Sequence, residues 1–172
     1  NLANASLTAE QAALPEAYRQ EMAQTVGAVS AYKQGTFANN QGFRSRIPAI
    51  SFEGAFCINY FFTPNYTPSK GITLYYWYET DYNPVTVLTP QNASGSLALN
   101  GSGTGQYRGD ITGIAAKNLS QAIYVAAVYS DGTTTWTSGV LGYSIGAYCS
   151  SQAAKGGDVA DLAMATAIYG YY

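Results

Sequence analysis

The chain has 172 residues, which is enough for one domain whose core needs no metal or dense disulfide network. Only 10% of its residues are charged, its net charge is −2, and it contains no histidine. The lack of histidine excludes Ser-His-Asp and Cys-His catalytic sites and imidazole metal ligands, so we expect neither a metal nor a cofactor. The acidic pI of about 4.9 argues against binding to nucleic acid or to an anionic membrane surface.

Apolar residues make up 47% of the chain and aromatic residues 14%, with 16 tyrosines, which is enough to build a hydrophobic core. No stretch of about 18 apolar residues occurs, so we expect no membrane insertion. The sequence has no initiator methionine and no signal peptide, and it runs to Tyr172 without a helix stop signal. We therefore expect it to be a piece cut from a longer protein.

The first predicted element is a helix. Thr8, with Gln11 three residues later, fits a capping box, and apolar residues recur at three- and four-residue steps to about Tyr32. Gly35 is of the type that ends helices. We assign residues 1–35 to an N-terminal helical segment that packs on the rest of the protein or on a neighbouring domain.

The spacing of apolar residues changes from a helical period to strict alternation where the predicted strands begin. We predict a loop at residues 36–50. Side chains then alternate along Phe52–Phe62 and again along Ile72–Glu79, as they do in half-buried strands. A turn region separates the two runs, so we expect them to be neighbouring strands of one hairpin.

Further strands are predicted at Val85–Leu88, Tyr107–Ile114, Ala122–Tyr129, Thr133–Ser138 and Val140–Cys149. The Asp131-Gly132 pair is a strong signal for a hairpin turn. About seven short strands without βαβ alternation predict an antiparallel, immunoglobulin-like β-sandwich over residues 36–150. A closed barrel is the alternative.

A second helix is predicted at the end of the chain. Asp158 can cap it, and apolar residues recur at three- and four-residue steps to Tyr169. We assign residues 151–172 to this C-terminal helix, which we expect to be truncated and packed on the sandwich.

The two cysteines fall in the first and last predicted strands, which are often neighbours in a sandwich. We predict a disulfide between Cys57 and Cys149, closing a loop of about 92 residues and stabilising the fold by about 4–5 kcal/mol. Such a bridge implies an oxidising, extracellular setting. The alternative is two buried free thiols.

Two acidic residues could carry chemistry. Glu53 and Glu79 lie on strands that we expect to be adjacent, and two carboxylates about 5–9 Å apart can hydrolyse a glycosidic bond. The alternative is that both are solvated strand charges that protect a sheet edge.

The aromatic residues are more informative than the acids. Strand side chains alternate between faces, so only half of a consecutive aromatic run can enter one core. Exposed Tyr and Trp supply large contact areas at low entropic cost, and they also stack on sugar rings. The alternative is that the N-terminal helix covers them. The predicted binding residues are Tyr75, Tyr76, Trp77, Tyr78, Tyr66 and, beside a Thr-rich hairpin, Trp136.

The stretches Ile123–Gly132 and Gly139–Cys149 and the Ala/Tyr-rich end Ala167–Tyr172 resemble β-sandwich modules in large secreted surface proteins of gut Clostridia, within the Firmicutes. The resemblance covers residues 105–172 and, more weakly, the helix at Leu14–Lys33. It implies an extracellular location on a bacterial cell surface, with no established catalytic residues and no fixed ligand.

The sequence thus predicts a non-catalytic binding or adhesion module rather than an enzyme. Its expected partner is a host protein or glycan, besides neighbouring domains of the same parent chain. One alternative is a structural spacer that packs on those domains. The other is a carbohydrate-active enzyme that uses Glu53 and Glu79.

Overall fold

The computed structural model describes residue 37 and residues 42–51, 55–79 and 87–148. Two compact units make up the chain. The first, which we call the β unit, comprises Tyr32–Gly113 and Ala122–Tyr143, and the second comprises Asn1–Ala31, Ile114–Gln121 and Ser144–Tyr172. The predicted helical segments, residues 1–35 and 151–172, lie outside the described residues, so the helices and the domain boundaries drawn from them stay predictions.

The described residues form ten strands in two antiparallel sheets, both within the β unit. The strands are β1 (Phe43–Ser45), β2 (Ala49–Ser51), β3 (Cys57–Pro64), β4 (Thr73–Tyr78), β5 (Gly95–Ala98), β6 (Asn100–Gly101), β7 (Tyr107–Thr112), β8 (Ile123–Ser130), β9 (Thr135–Thr137) and β10 (Leu141–Tyr143). Sheet 1 has the order β1-β3-β7-β6, and β2 also pairs with β3. Sheet 2 has the order β10-β8-β4-β5, and β9 also pairs with β8.

The core of the β unit lies between the two sheets. On β3, Ile58, Tyr60 and Phe62 alternate toward it and are at most 1% exposed. The hydroxyl of Tyr60 donates to the carbonyl oxygen of Ile123 on β8 at 2.8 Å, a hydrogen bond that joins the sheets. This arrangement confirms the antiparallel β-sandwich, whereas its immunoglobulin-like type stays a prediction.

A bulge interrupts one edge of sheet 1. Arg46 donates its backbone N–H to Phe61, and three residues later Ala49 pairs with Asn59. Two residues of the edge therefore oppose a single residue of β3, and one of them, Ile47, is 79% exposed. Bulges of this kind break the row of free backbone groups that would otherwise attract another strand.

Four of the predicted strands are confirmed, as is the Asp131-Gly132 turn, which connects β8 to β9. The confirmed runs are Ile72–Glu79, Tyr107–Ile114, Ala122–Tyr129 and Thr133–Ser138. The predicted strand at Val85–Leu88 is not seen in its described residues, because Val87 and Leu88 lie outside any strand.

The predictions for the first strands are wrong in two respects. The loop expected at residues 36–50 contains β1 and most of β2, which are too short to show a period of two. The expected hairpin of Phe52–Phe62 with Ile72–Glu79 is also wrong, because β3 and β4 lie in different sheets. Phe52 itself lies outside the described residues.

The predicted strand Val140–Cys149 is wrong in its second half. The strand ends at Tyr143, and a helical turn begins at Ile145. Ser144 caps this turn, because its hydroxyl accepts the backbone N–H of Ala147 at 3.0 Å. No helix among the described residues is long and apolar enough to cross a membrane.

Candidate functional site

The predicted aromatic run on β4 is divided between the two faces of sheet 2. Trp77 is 2% exposed, and its ring meets Phe37 edge to face at a centroid distance of 5.4 Å. Its indole N–H donates to Asn92 Oδ1 at 2.9 Å. Trp77 therefore offers no surface to a ligand and belongs to the packing of sheet 2.

The three tyrosines of the run are half-buried and do not share one face. Tyr75 pairs with Ala126 on the face that also holds Trp77. Tyr76 and Tyr78 lie on the other face, where their rings meet edge to face at 5.6 Å. The four consecutive aromatic residues thus do not form a single patch, and binding by the tyrosines stays a prediction.

The fold brings the other two predicted residues together. Tyr66 follows β3 and Trp136 lies on β9, yet their ring centroids are 4.7 Å apart and their planes differ by 25°. Tyr129 lies 4.7 Å from Tyr66 and 5.3 Å from Trp136. We call these three rings the aromatic cluster. Tyr66 and Trp136 are half-buried, whereas Tyr129 is 3% exposed.

The two phenol groups of the cluster have different surroundings. Ser69 donates its backbone N–H to the Tyr129 hydroxyl at 3.0 Å, and the Ser69 hydroxyl lies 2.9 Å from the same oxygen. These hydrogen bonds lower the pKa of Tyr129. Burial raises the pKa of Tyr66, and among the described residues its buried hydroxyl has no hydrogen-bond partner. The cluster therefore offers ring surface, flanked by one phenol that is hydrogen-bonded to Ser69 and by one that is buried.

An ordered hairpin loop adjoins Trp136. Residues 130–135 are exposed and include three threonines. Asp131 Oδ1 accepts the backbone N–H groups of Thr133 at 2.8 Å and Thr134 at 2.9 Å, and these bonds lower the pKa of the Asp131 carboxyl. The ammonium group of Lys70 donates to the Asp131 carbonyl at 2.9 Å. The backbone of the loop is thus held in place beside the half-buried ring of Trp136, and its threonine side chains are exposed.

The predicted carboxylate pair is not assembled in the described part of the chain. Glu79 Oε2 accepts the backbone N–H of Ala122 at 2.9 Å, and the Glu79 N–H donates to the Ala122 carbonyl at 3.1 Å. Glu79 thereby fastens the end of β4 to the start of β8. Glu53 lies outside the described residues, as part of 52–54. Among the described residues, no cluster of three or more His, Cys, Asp or Glu side chains could hold a metal ion.

Cys57 is a free thiol on the outer face of sheet 1, and it is 6% exposed. Its Sγ donates to Asn59 Oδ1 at 3.2 Å. Cys149 lies outside the described residues. The disulfide between them stays a prediction that the structure does not support.

The free thiol leads to a testable expectation. Burial raises the pKa of Cys57, so at a given pH a smaller fraction of it is thiolate in the folded protein than in the unfolded chain. We expect Cys57 in a Cys149→Ser variant to react with a thiolate-selective reagent at pH 8 at least about tenfold more slowly when native than in denaturant. Equal rates would contradict its burial. In the denatured, unreduced natural sequence, two reactive thiols would rule out the predicted bridge to Cys149, and none would establish it.

The sequence analysis missed a cluster on the outer face of sheet 1. The Arg46 guanidinium lies over the Phe61 ring, 4.6 Å from its centroid. On the other side of β3, Arg108 pairs with Phe61. Arg108 donates to Asn59 Oδ1 at 3.0 Å and forms an ion pair with Asp110. No local pattern reveals this cluster, because β1, β3 and β7 are joined only by long-range pairing.

The chain was compared with protein families, curated proteins and solved structures. No family model matches the chain, and no curated protein matches it. Among solved structures, the carbohydrate-binding module BhCBM56, crystallised as its Br derivative, is similar at 11% sequence identity and a TM-score of 0.40. The match covers 62% of this chain and 95% of that one. At that level the likeness does not establish a shared ligand or a shared site.

Proposed function

We propose that the protein is a non-catalytic binding module that recognises a glycan through Tyr66, Trp136 and the hairpin loop at residues 130–135. One observation carries this proposal: two half-buried aromatic side chains from distant parts of the sequence stack at 4.7 Å beside an exposed, hydroxyl-bearing loop. Flat ring surface next to fixed polar groups is the combination that orients small polar ligands.

The chemistry of the cluster favours a glycan over a host protein. A stable protein interface buries about 800 Å² on each partner and centres on several fully desolvated anchors. Within the aromatic cluster, the half-buried rings are those of Tyr66 and Trp136. The adjoining loop carries short hydroxyl side chains such as Thr133 and Thr135. Sugars offer apolar ring faces for stacking and hydroxyl groups that both donate and accept hydrogen bonds. Location on a bacterial surface and a role in adhesion to a host are part of the same proposal.

The hydrogen bond that the Glu79 carboxylate accepts from the backbone of Ala122 argues against glycoside hydrolysis as the function. A glycosidase needs one carboxyl group free to donate a proton and a second one free to act as nucleophile or base. No second carboxylate lies in contact with Glu79 among the described residues.

A glycan array probed with the purified chain, followed by calorimetry with the strongest ligand, tests the proposal. We expect Trp136→Ala to weaken binding by about tenfold or more, because one stacked ring contributes on the order of 1–2 kcal/mol. Trp136→Phe retains a ring and should keep most of the affinity. A Thr133→Ala/Thr134→Ala variant removes loop hydroxyls without touching the core and should weaken binding severalfold.

Tyr75→Ala is the matched control, because Tyr75 is also a half-buried aromatic residue of sheet 2 but lies outside the cluster. It should bind the ligand as the natural sequence does. If Tyr75→Ala abolishes binding while Trp136→Ala does not, the site lies on β4 and the proposal is wrong. An array on which the folded chain binds no glycan would favour the spacer function instead.

A further inference from the structure

We propose that the outer face of sheet 1 is a second binding surface, selective for an acidic polysaccharide that carries carboxylate groups. Arg44, Arg46 and Arg108 lie on this face, and all three are exposed. They are three of the four arginines in a chain that has only 8 basic residues and a net charge of −2. We call this surface the arginine face. The proposal does not depend on Trp136.

Two of the arginines lie in a row with Phe61 across sheet 1. Arg46, at the end of β1, and Arg108, on β7, lie on opposite sides of Phe61 on the central strand β3. Two strand spacings separate their backbones, which is about 10 Å. Arg44 pairs with Thr63 on the same face. The three arginines thus come from neighbouring backbone positions on one face of the sheet.

Two of the guanidinium groups are held in place before any ligand binds. Arg46 stacks on the Phe61 ring at 4.6 Å, and Arg108 is held by Asn59 and Asp110. A guanidinium that stacks on a ring keeps its N–H edges available for hydrogen bonds in the ring plane. Groups fixed in this way lose little conformational entropy when they bind a planar carboxylate.

The charge of the face selects an anion. The described residues of this face carry three guanidinium groups and one carboxylate, that of Asp110. The face therefore has a positive net charge, although the whole chain has a net charge of −2. This local excess of positive charge attracts anionic ligands. The ring of Phe61 faces Arg46, so it does not offer a platform for nucleic-acid bases.

The other exposed side chains favour a carbohydrate over an acidic peptide. Thr63, Thr112 and Asn100 also point outward from sheet 1, and all are exposed. Hydroxyl and amide groups complement sugar hydroxyls, whereas peptides bind mainly through sheet edges or apolar pockets. The face therefore fits a hydroxyl-rich chain that carries carboxylates.

Binding of polygalacturonate to the natural sequence, measured by affinity electrophoresis and by calorimetry, tests the proposal. We expect an Arg44→Gln/Arg46→Gln variant to bind at least about tenfold more weakly. The control is Lys117→Gln, which removes one exposed positive charge outside sheet 1 and should keep the affinity within about twofold. Arg46→Lys should bind with intermediate affinity, because it keeps the charge and loses the planar fork. Raising the salt concentration should weaken binding to the natural sequence and barely affect the arginine variant.

Several outcomes would overturn the proposal. A loss of affinity in Lys117→Gln as large as that in the arginine variant would mean that only the overall charge of the chain matters. Equal affinity for neutral dextran would refute selectivity for an anion, and equal affinity for poly-glutamate would refute a carbohydrate. Loss of polygalacturonate binding in Trp136→Ala, with the arginine variant unaffected, would place the ligand at the aromatic cluster and leave only the proposed function standing. Absence of polygalacturonate binding would refute the arginine face alone, provided that a neutral glycan still binds at Trp136.

Discussion

Replacing Trp77 with alanine is expected to destabilise the protein by about 3–5 kcal/mol, since it removes a fully buried indole and leaves a cavity. In a chain of this length that corresponds to a melting temperature lower by roughly 10 °C. The substitution also removes the hydrogen bond from the indole N–H to Asn92 Oδ1. Asn92 Oδ1 keeps a second donor, the backbone N–H of Thr89 at 2.9 Å, so packing dominates the loss. Thermal unfolding followed by circular dichroism measures it.

Trp136→Ala is the control for this experiment, because Trp136 is half-buried and is the only other tryptophan. Its destabilisation should be clearly smaller, at about 2 kcal/mol or less, while its effect on ligand binding should be the larger of the two. If Trp77→Ala unfolds at the temperature of the natural sequence, the packing described for sheet 2 is wrong.

Replacing Gly109 with valine is the second change with a large expected effect. Gly109 lies on β7, and a Cβ atom there would lie 2.6 Å from Leu99 Cδ2 and 2.7 Å from Leu74 Cδ2 on β4 of the other sheet. Both leucines are buried, at 7% and 0% exposure, so neither has space to move into. Overpacking of this kind destabilises by about 1–3 kcal/mol, and the branched valine should lie at or above the upper end.

Gly71→Ala is the matched control, since no atom lies within 4 Å of the Cβ position at Gly71. It should change the free energy of unfolding by less than about 0.5 kcal/mol. Denaturant titration of both variants measures the difference. Equal stability of Gly109→Val and Gly71→Ala would show that the sheets are not in contact at Gly109.

Patterns within one strand were readable from the sequence. The runs that became β4, β7 and β8 show the alternation or the continuous apolar stretch that strands require, and Asp131-Gly132 marked its hairpin correctly. These features depend on residues that are close in sequence. The β-sandwich class followed from them.

Pairing between distant strands was not readable. Nothing local shows that β3 pairs with β7 rather than with β4, so the expected hairpin was wrong, while the Glu53–Glu79 pair stays a prediction because Glu53 lies outside the described residues. The same limit hid the row formed by Arg46, Phe61 and Arg108, because its members come from three strands that only the register aligns.

For the candidate site, the sequence predicted some of the residues but not the contacts between them. Tyr66 and Trp136 were predicted as binding residues, but their contact with each other depends on how the β3–β4 connection packs against β9. Trp77 was predicted with them, since composition does not tell which face of a central strand is covered. Its burial at 2% exposure could be learned only from the packed sheet.

The two tryptophans make the central claim directly measurable. Because the chain has only 2 tryptophans, its ¹H–¹⁵N spectrum has two indole N–H signals, which Trp136→Phe assigns. On titration with the glycan found on the array, we expect the Trp136 indole signal to shift to saturation and the Trp77 signal to stay in place. A shift of the Trp77 signal alone, or no shift of either at saturating glycan, would contradict recognition through the aromatic cluster.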